Sequence, residues 1–142
     1  MNWFYWALLS AIFAGITAVL AKAGVEGVNS HLATAIRTAV ILVFTWAIAL
    51  SVVPMSDIGS LTRRTWLYLV LSAIATGLSW LCYFRALQLG EASRVAPIDK
   101  LSVVFAILLA AVFLREKLTW QHFAGGALIV SGALLISWKP AA

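Results

Sequence analysis

The chain has 142 residues, of which 63% are hydrophobic and only 11% charged. Soluble domains carry about 25% charged residues, so this composition excludes an ordinary soluble globular domain, a disordered tail and a fibre. The 10 Lys and Arg against 5 Asp and Glu give a net charge of +5, but these cations stand at the ends of apolar runs, so the membrane surface explains them and no nucleic-acid partner is expected.

In chain order, five apolar segments meet or approach the ~20 residues that a helix needs to cross a ~30 Å hydrocarbon core. They run over about 3–21, 32–53, 66–89, 95–114 and 122–138. Backbone groups find no water in lipid, so each pass is predicted to be helical. The fold class is therefore an all-α integral membrane protein with five transmembrane helices, in a single domain over 1–142. The connections, at 24–30, 54–65, 90–94 and 115–119, are too short to hold a catalytic domain. After the first run, Ala21-Lys22-Ala23 has the look of a signal-peptidase site, but no Lys or Arg precedes the run and it is long for a signal peptide, so the helix is expected to be retained. Trp3, Tyr5, Trp6, Trp66 and Trp120 fall at one membrane face and Trp138 at the other, where aromatic residues anchor at the headgroups.

With five passes the termini lie on opposite sides. The N-terminal side carries Arg63, Arg64, Arg115 and Lys117; the other carries Lys22, Arg85, Arg94 and Lys139, with Arg37 and Lys100 placed deeper. Four cations against four to six give little orienting instruction under the positive-inside rule. Two readings stay open: one weakly set orientation, or insertion both ways with antiparallel pairing of two copies.

The polar residues inside the spans are patterned. Thr34, Arg37, Thr38 and Thr45 share a face of the second helix, and Ser72, Thr76, Ser79 and Tyr83 share a face of the third. Ser10 and Thr17 in the first helix and Asp99 and Ser102 in the fourth continue the theme. For any one stripe, helix packing with hydroxyls bonded to their own helix is the simpler explanation; several stripes together point to a shared aqueous or substrate cavity. Ala7-Ala11-Gly15, Ala73-Gly77 and Ala127-Ser131 are small-residue patterns suited to packing. An ionisable group at the centre of a span costs about 2.5–3.5 kcal/mol, and less for Arg37, Arg85, Asp99 and Lys100, all within about two turns of one side; each is still a functional candidate. Arg37 lies within its stripe, whereas Arg85 lies opposite the stripe of its own helix and snorkels, as Lys100 does. Asp99 is short and needs a partner, water or a proton, so Arg37 and Asp99 are expected to meet at the cavity mouth as a salt bridge or a binding pair. Trp80 and Tyr83 flank the third stripe and suit stacking on an aromatic or cationic solute. The candidate substrate-binding set is Arg37, Asp99, Thr34, Ser72, Thr76, Ser79, Trp80 and Tyr83.

No phosphate loop, nucleophile elbow or zinc motif is present, and neither His31 nor His122 has a second ligand in reach by sequence. The lone Cys82 excludes an internal disulfide and a cysteine zinc cluster. The expectation is no catalytic residue, no cofactor and no metal, hence not an enzyme.

From Tyr83 onward the sequence resembles a family. Tyr83-Phe-Arg-Ala-Leu-Gln-Leu-Gly90, Ala96-Pro97-Ile-Asp-Lys-Leu101, Arg115-Glu116-Lys-Leu-Thr119, Gly125-Gly126 and Gly132 are similar to the EamA domain of the drug/metabolite transporter superfamily. Members carry an aromatic residue ahead of the Ala-Leu pair, a proline opening the fourth helix, matched by Pro97, and a Gly-Glu pair ending that helix. Glu116 matches, but Arg115 replaces the glycine that serves the turn. The resemblance implies half of a ten-helix inverted-repeat transporter, which two antiparallel copies of one five-helix unit would rebuild, with substrate near the midplane and alternating access. It implies a secondary transporter of a small polar or amphipathic metabolite, amino-acid or drug-like, in the bacterial cytoplasmic (inner) membrane. The alternative is a non-transporting accessory subunit of a membrane complex such as a lipid flippase. Small four-helix multidrug exporters of similar logic use a glutamate in their first helix; here Gly15 and Ile16 stand mid-helix with no acid, so any proton coupling falls on Asp99 or on the loop residues Glu26 and Glu91.

Overall fold

The computed structural model describes residues 2–138; Lys139, counted above among the cations, lies outside the described residues. Among the described residues there are seven α-helices and a π-helical turn, and no strand. They are α1 (Trp3–Val25), α2 (Ser30–Val52), α3 (Ser56–Gly59), α4 (Arg63–Leu89), α5 (Ala92–Asp99), α6 (Ser102–Leu109) and α7 (Trp120–Ser137), with the π turn at Ala110–Leu114 between α6 and α7. Five stretches, α1, α2, α4, the composite Ala92–Leu114 and α7, are long and apolar enough to cross a membrane, and the chain is a multi-pass membrane protein.

Local chemistry sets the boundaries. The apolar run of α1 continues through Ala21-Lys22-Ala23 to Val25, four residues beyond the predicted end, with Lys22 in the last turn where a cation complements the helix dipole. Gly27, at φ 73°, turns the chain in the left-handed region that glycine enters without a Cβ clash. Asn29 then caps α2, its side-chain oxygen accepting the His31 N–H at 2.9 Å. α2 ends in extended Val53 because Pro54 follows and disfavours the helical region for the residue before it. The predicted 54–65 connection contains the short α3, and Thr62 caps α4 by accepting the Thr65 N–H at 3.2 Å, so Arg63 and Arg64 form its first turn. The first turn of α7 is closed by His122, whose Nδ1 accepts the Thr119 N–H at 3.0 Å. That contact gives His122 a structural role.

The fourth pass differs from the predicted single helix. Past Pro97 the ladder tightens to i→i+3 bonds: the Lys100 N–H donates to Pro97 O at 3.1 Å, the Leu101 N–H to Ile98 O at 3.0 Å and the Val103 N–H to Lys100 O at 3.1 Å. α5 therefore stops at Asp99 and α6 starts at Ser102. At the far end the turn widens, and the Glu116 N–H reaches Ala110 O at 3.3 Å.

The chain divides into two compact units. One comprises residues 24–88; the other joins the N-terminal stretch up to Ala23 to the C-terminal stretch from Leu89. In the 24–88 unit the buried side chains are Val25, Ser30, Thr34, Phe84 and Leu87, and the Gln88 amide donates to the Val28 carbonyl, tying the end of α4 to the turn before α2. In the other unit α7 packs on α5 and α6; Ser137 Oγ donates to the Arg94 carbonyl at 3.3 Å and to Ala133 O at 2.7 Å. Most large apolar side chains of every span are exposed, as they are where hydrocarbon is the solvent.

Candidate functional site

In the 24–88 unit, α2 and α4 bring together residues 43 or more positions apart in sequence around one cation. The Arg37 guanidinium carbon lies 4.6 Å from the centroid of the Trp80 ring and 5.6 Å from that of Phe84. Trp80 and Phe84 are four residues apart on α4, so their rings share a face. Phe84 is 3% exposed, while Arg37 and Trp80 are half-buried. Cation–π attraction contributes about 0.5–2 kcal/mol, against at most about 2.5–3.5 kcal/mol, the cost of arginine at the centre of a span. The rings thus offset part of the cost of holding Arg37 there and leave the remainder to an additional partner or to snorkelling.

The hydroxyls of the predicted set divide into two groups. Thr34, buried, donates to Ser30 O at 2.8 Å, and Thr38 donates to Thr34 O at 2.8 Å. Thr45 bonds Ile41 O at 2.8 Å and Thr76 bonds Ser72 O at 2.9 Å. These bonds back to the preceding turn satisfy the hydroxyl hydrogens and leave oxygen lone pairs available. Ser72, Thr76 and Ser79 all lie on exposed surface of α4. Tyr83 is half-buried, its ring edge-to-face with Phe84 at 6.5 Å between centroids. The unit thus brings Arg37 of α2 to Trp80 and Phe84 of α4, with Tyr83 edge-on to Phe84; Thr34 is buried in α2 and bonded to its own helix. Phe84 is the residue that sequence reasoning missed; the signal was its spacing of four from Trp80.

Asp99 belongs to the other unit, at the end of α5, with its carboxylate 3.6 Å from Lys100 Nζ. The two residues stand where the fourth pass is interrupted. Broken helices in membranes commonly carry ion or substrate sites, because the freed backbone groups need polar partners. Glu91 pairs with Arg94 at 3.2 Å at the mouth of α5. Elsewhere in this unit, Val104, Ile107, Leu108, Leu118, Phe123 and Val130 line a mainly apolar groove of about 130 Å³, with His122 and Gly126 at its wall. Among the described residues no group of three or more His, Cys, Asp or Glu is placed to hold a metal ion.

The EamA-like transporter family matches residues 1–138. A Sinorhizobium sp. protein named as an uncharacterized transporter in the cobO 3′ region is 52% identical over 136 residues, 96% of each chain. A probable terminal-alkyne amino-acid exporter of Streptantibioticus cattleyicolor is 42% identical over 67 residues, 44% of this chain and 22% of that protein. The ArnF subunit of a probable 4-amino-4-deoxy-L-arabinose-phosphoundecaprenol flippase from Erwinia tasmaniensis is 44% identical over 76 residues, 51% of this chain and 59% of the subunit. No solved structure matches. With the family matched over nearly the whole chain and a relative of equal span at this identity, the chain belongs to the EamA-like transporter family.

Proposed function

We propose that the chain is a secondary transporter of a small polar or amphipathic metabolite, amino-acid or drug-like, acting as an antiparallel homodimer by alternating access. The observation that carries this reading is the exposure of Ser72, Thr76 and Ser79 along one face of α4. A face of hydroxyls inside a span is out of place against acyl chains and suits a second protein surface or a wet path. The near balance of cations on the two sides supports antiparallel insertion, and the amino-acid exporter among the relatives supports the substrate class. Thr34, Arg37, Ser72, Thr76, Ser79, Trp80 and Tyr83 are assigned to substrate; Asp99 is the acid on which proton or cation coupling falls. The bacterial inner membrane is the setting that fits the relatives.

The test is labelling of single cysteines placed at Glu26 or Ser60, with Cys82 replaced by serine, using a maleimide that cannot cross the membrane. Each cysteine should be reached from both faces of the cell membrane, in different copies. Labelling of each from one face alone removes the antiparallel homodimer.

A second reading has its own support. Several of the relatives are ArnE or ArnF flippase subunits, of which about three fifths is matched, and these are named as subunits. On that reading the chain is an accessory subunit whose exposed α4 face meets a different protein. Affinity purification that yields a stoichiometric foreign membrane protein and no self-association favours it.

A further inference from the structure

Arg37 is the sole Lys, Arg, Asp or Glu of α2. It stands seven residues past the start of that helix at Ser30, roughly 10 Å along the axis. Its guanidinium carbon is held over two aromatic rings at 4.6 and 5.6 Å. Aromatic faces take the flat side of a guanidinium and leave its rim of five N–H donors, whose fixed fork matches the paired oxygens of a carboxylate or phosphate. Within its unit, neither carboxylate, Glu26 or Asp57, forms an ion pair with it. The residue is half-buried, not enclosed. A side chain needed only for packing on Trp80 and Phe84 would be better served by an apolar one, because the attraction of the rings returns only part of what a cation costs to insert.

We infer that Arg37, laid on Trp80 and Phe84, is the seat of an oxyanion, the carboxylate or phosphate of a bound molecule. Trp80 and Phe84 are positioning residues that fix the plane of the fork. This deepens the transporter reading and rests on it where the oxyanion belongs to a transported solute; the same chemistry is available from an anionic lipid headgroup.

The full chain is purified and placed in nanodiscs of phosphatidylcholine, and its thermal unfolding is followed against three probes: N-acetylphenylalanine, the matching neutral amide, and inorganic phosphate. A second set of nanodiscs contains increasing phosphatidylglycerol. At least one of the two anions should raise the unfolding midpoint with an apparent affinity at least tenfold tighter than that of the amide. Arg37→Gln should abolish this preference and Arg37→Lys weaken it about tenfold, since lysine keeps the charge and loses the fork. Trp80→Phe should retain the preference and Trp80→Leu reduce it, a contrast that a purely structural role of the ring does not produce. A midpoint that follows phosphatidylglycerol and loses that dependence in Arg37→Gln supports the seat and assigns the oxyanion to lipid. The inference is overturned if acid and amide act alike, if neither the anions nor the lipid acts, or if Arg37→Gln responds like the native chain. Binding needs no flux: a chain that binds these anions and transports nothing defeats the transporter reading alone, and one that carries solutes without any Arg37-dependent anion preference defeats the seat alone.

Discussion

Arg37 and Trp80, 43 positions apart in sequence, meet with the guanidinium carbon 4.6 Å from the ring centroid. The pair joins α2 to α4 through a charge that is expensive in a membrane, so stability and function pull in opposite directions there. Arg37→Met removes an insertion cost of at most about 2.5–3.5 kcal/mol, the span-centre value, and forfeits about 0.5–2 kcal/mol of cation–π attraction. The expected outcome is better insertion of α2, by about 1 kcal/mol in a glycosylation-mapping assay, with loss of transport. Trp80→Leu in the native background should destabilise by about 1 kcal/mol and in the Arg37→Met background by much less, the difference being the coupling of the pair. Equal effects of Trp80→Leu in both backgrounds mean that the two side chains are not energetically linked.

Arg115 is the non-glycine residue with positive φ among the described residues, at φ 56° and ψ 33°. By the resemblance noted above, family members place a glycine at this turn; here an arginine holds its left-handed geometry. A side chain in that region costs about 1 kcal/mol relative to glycine. Arg115→Gly should therefore raise the thermal midpoint, by about 0.5–1 kcal/mol in stability. Arg115→Asn should recover part of the gain, because asparagine tolerates this region, and Arg115→Ala should recover little, which separates the backbone effect from loss of the charge. A gain for alanine equal to that for glycine would make charge, and not φ, the cause.

How much of this was legible in the sequence depends on the range of the interaction that decides it. The five passes were readable because each is a continuous apolar stretch and the stops are local: Pro54 behind Val53, Gly90 behind Leu89. The break after Asp99 was not read, because the pattern remains apolar on both sides of it. The π turn at Ala110–Leu114 left no compositional mark at all. The α2 stripe did single out Arg37, but its contact with Phe84 depends on how α2 meets α4, which periodicity within one helix does not contain. Trp80 was noticed because it flanks the stripe of its helix; Phe84, as one apolar residue among many, carried only the spacing.

Gly126 faces Val104 across the α6–α7 contact, where a Cβ added at Gly126 would meet Val104 Cγ2 at 4.0 Å. That is ordinary van der Waals contact, so Gly126→Ala should fit, changing stability by less than about 0.5 kcal/mol. Gly126→Ile puts branched bulk into the same gap and forces α6 and α7 apart, and overpacking of this kind typically costs about 1–3 kcal/mol. Thermal midpoints of the two variants in detergent test the contact. An isoleucine variant as stable as the native chain shows that the helices separate freely at this point.

Antiparallel pairing makes a prediction that depends on charge placement alone. Gly59→Arg with Ser60→Arg adds two cations to the side that holds Arg63, Arg64, Arg115 and Lys117, and should drive that side into the cytoplasm in nearly every copy. Arg63→Ser with Arg64→Ser removes two cations from the same side and should drive the opposite orientation. Both pairs lie in or beside the α2–α4 connection, and the contact given up is that of Arg64 with the exposed Tyr68 ring, at 5.6 Å. Expressed alone, each locked form lacks inverted partners and should purify as a monomer. Expressed together with different tags, the two should copurify and crosslink as a heterodimer of opposite orientations, because each then supplies the inverted partner that the other lacks. Stable dimers of either locked form alone would show that the copies pair in parallel, and the inverted arrangement would have to be abandoned.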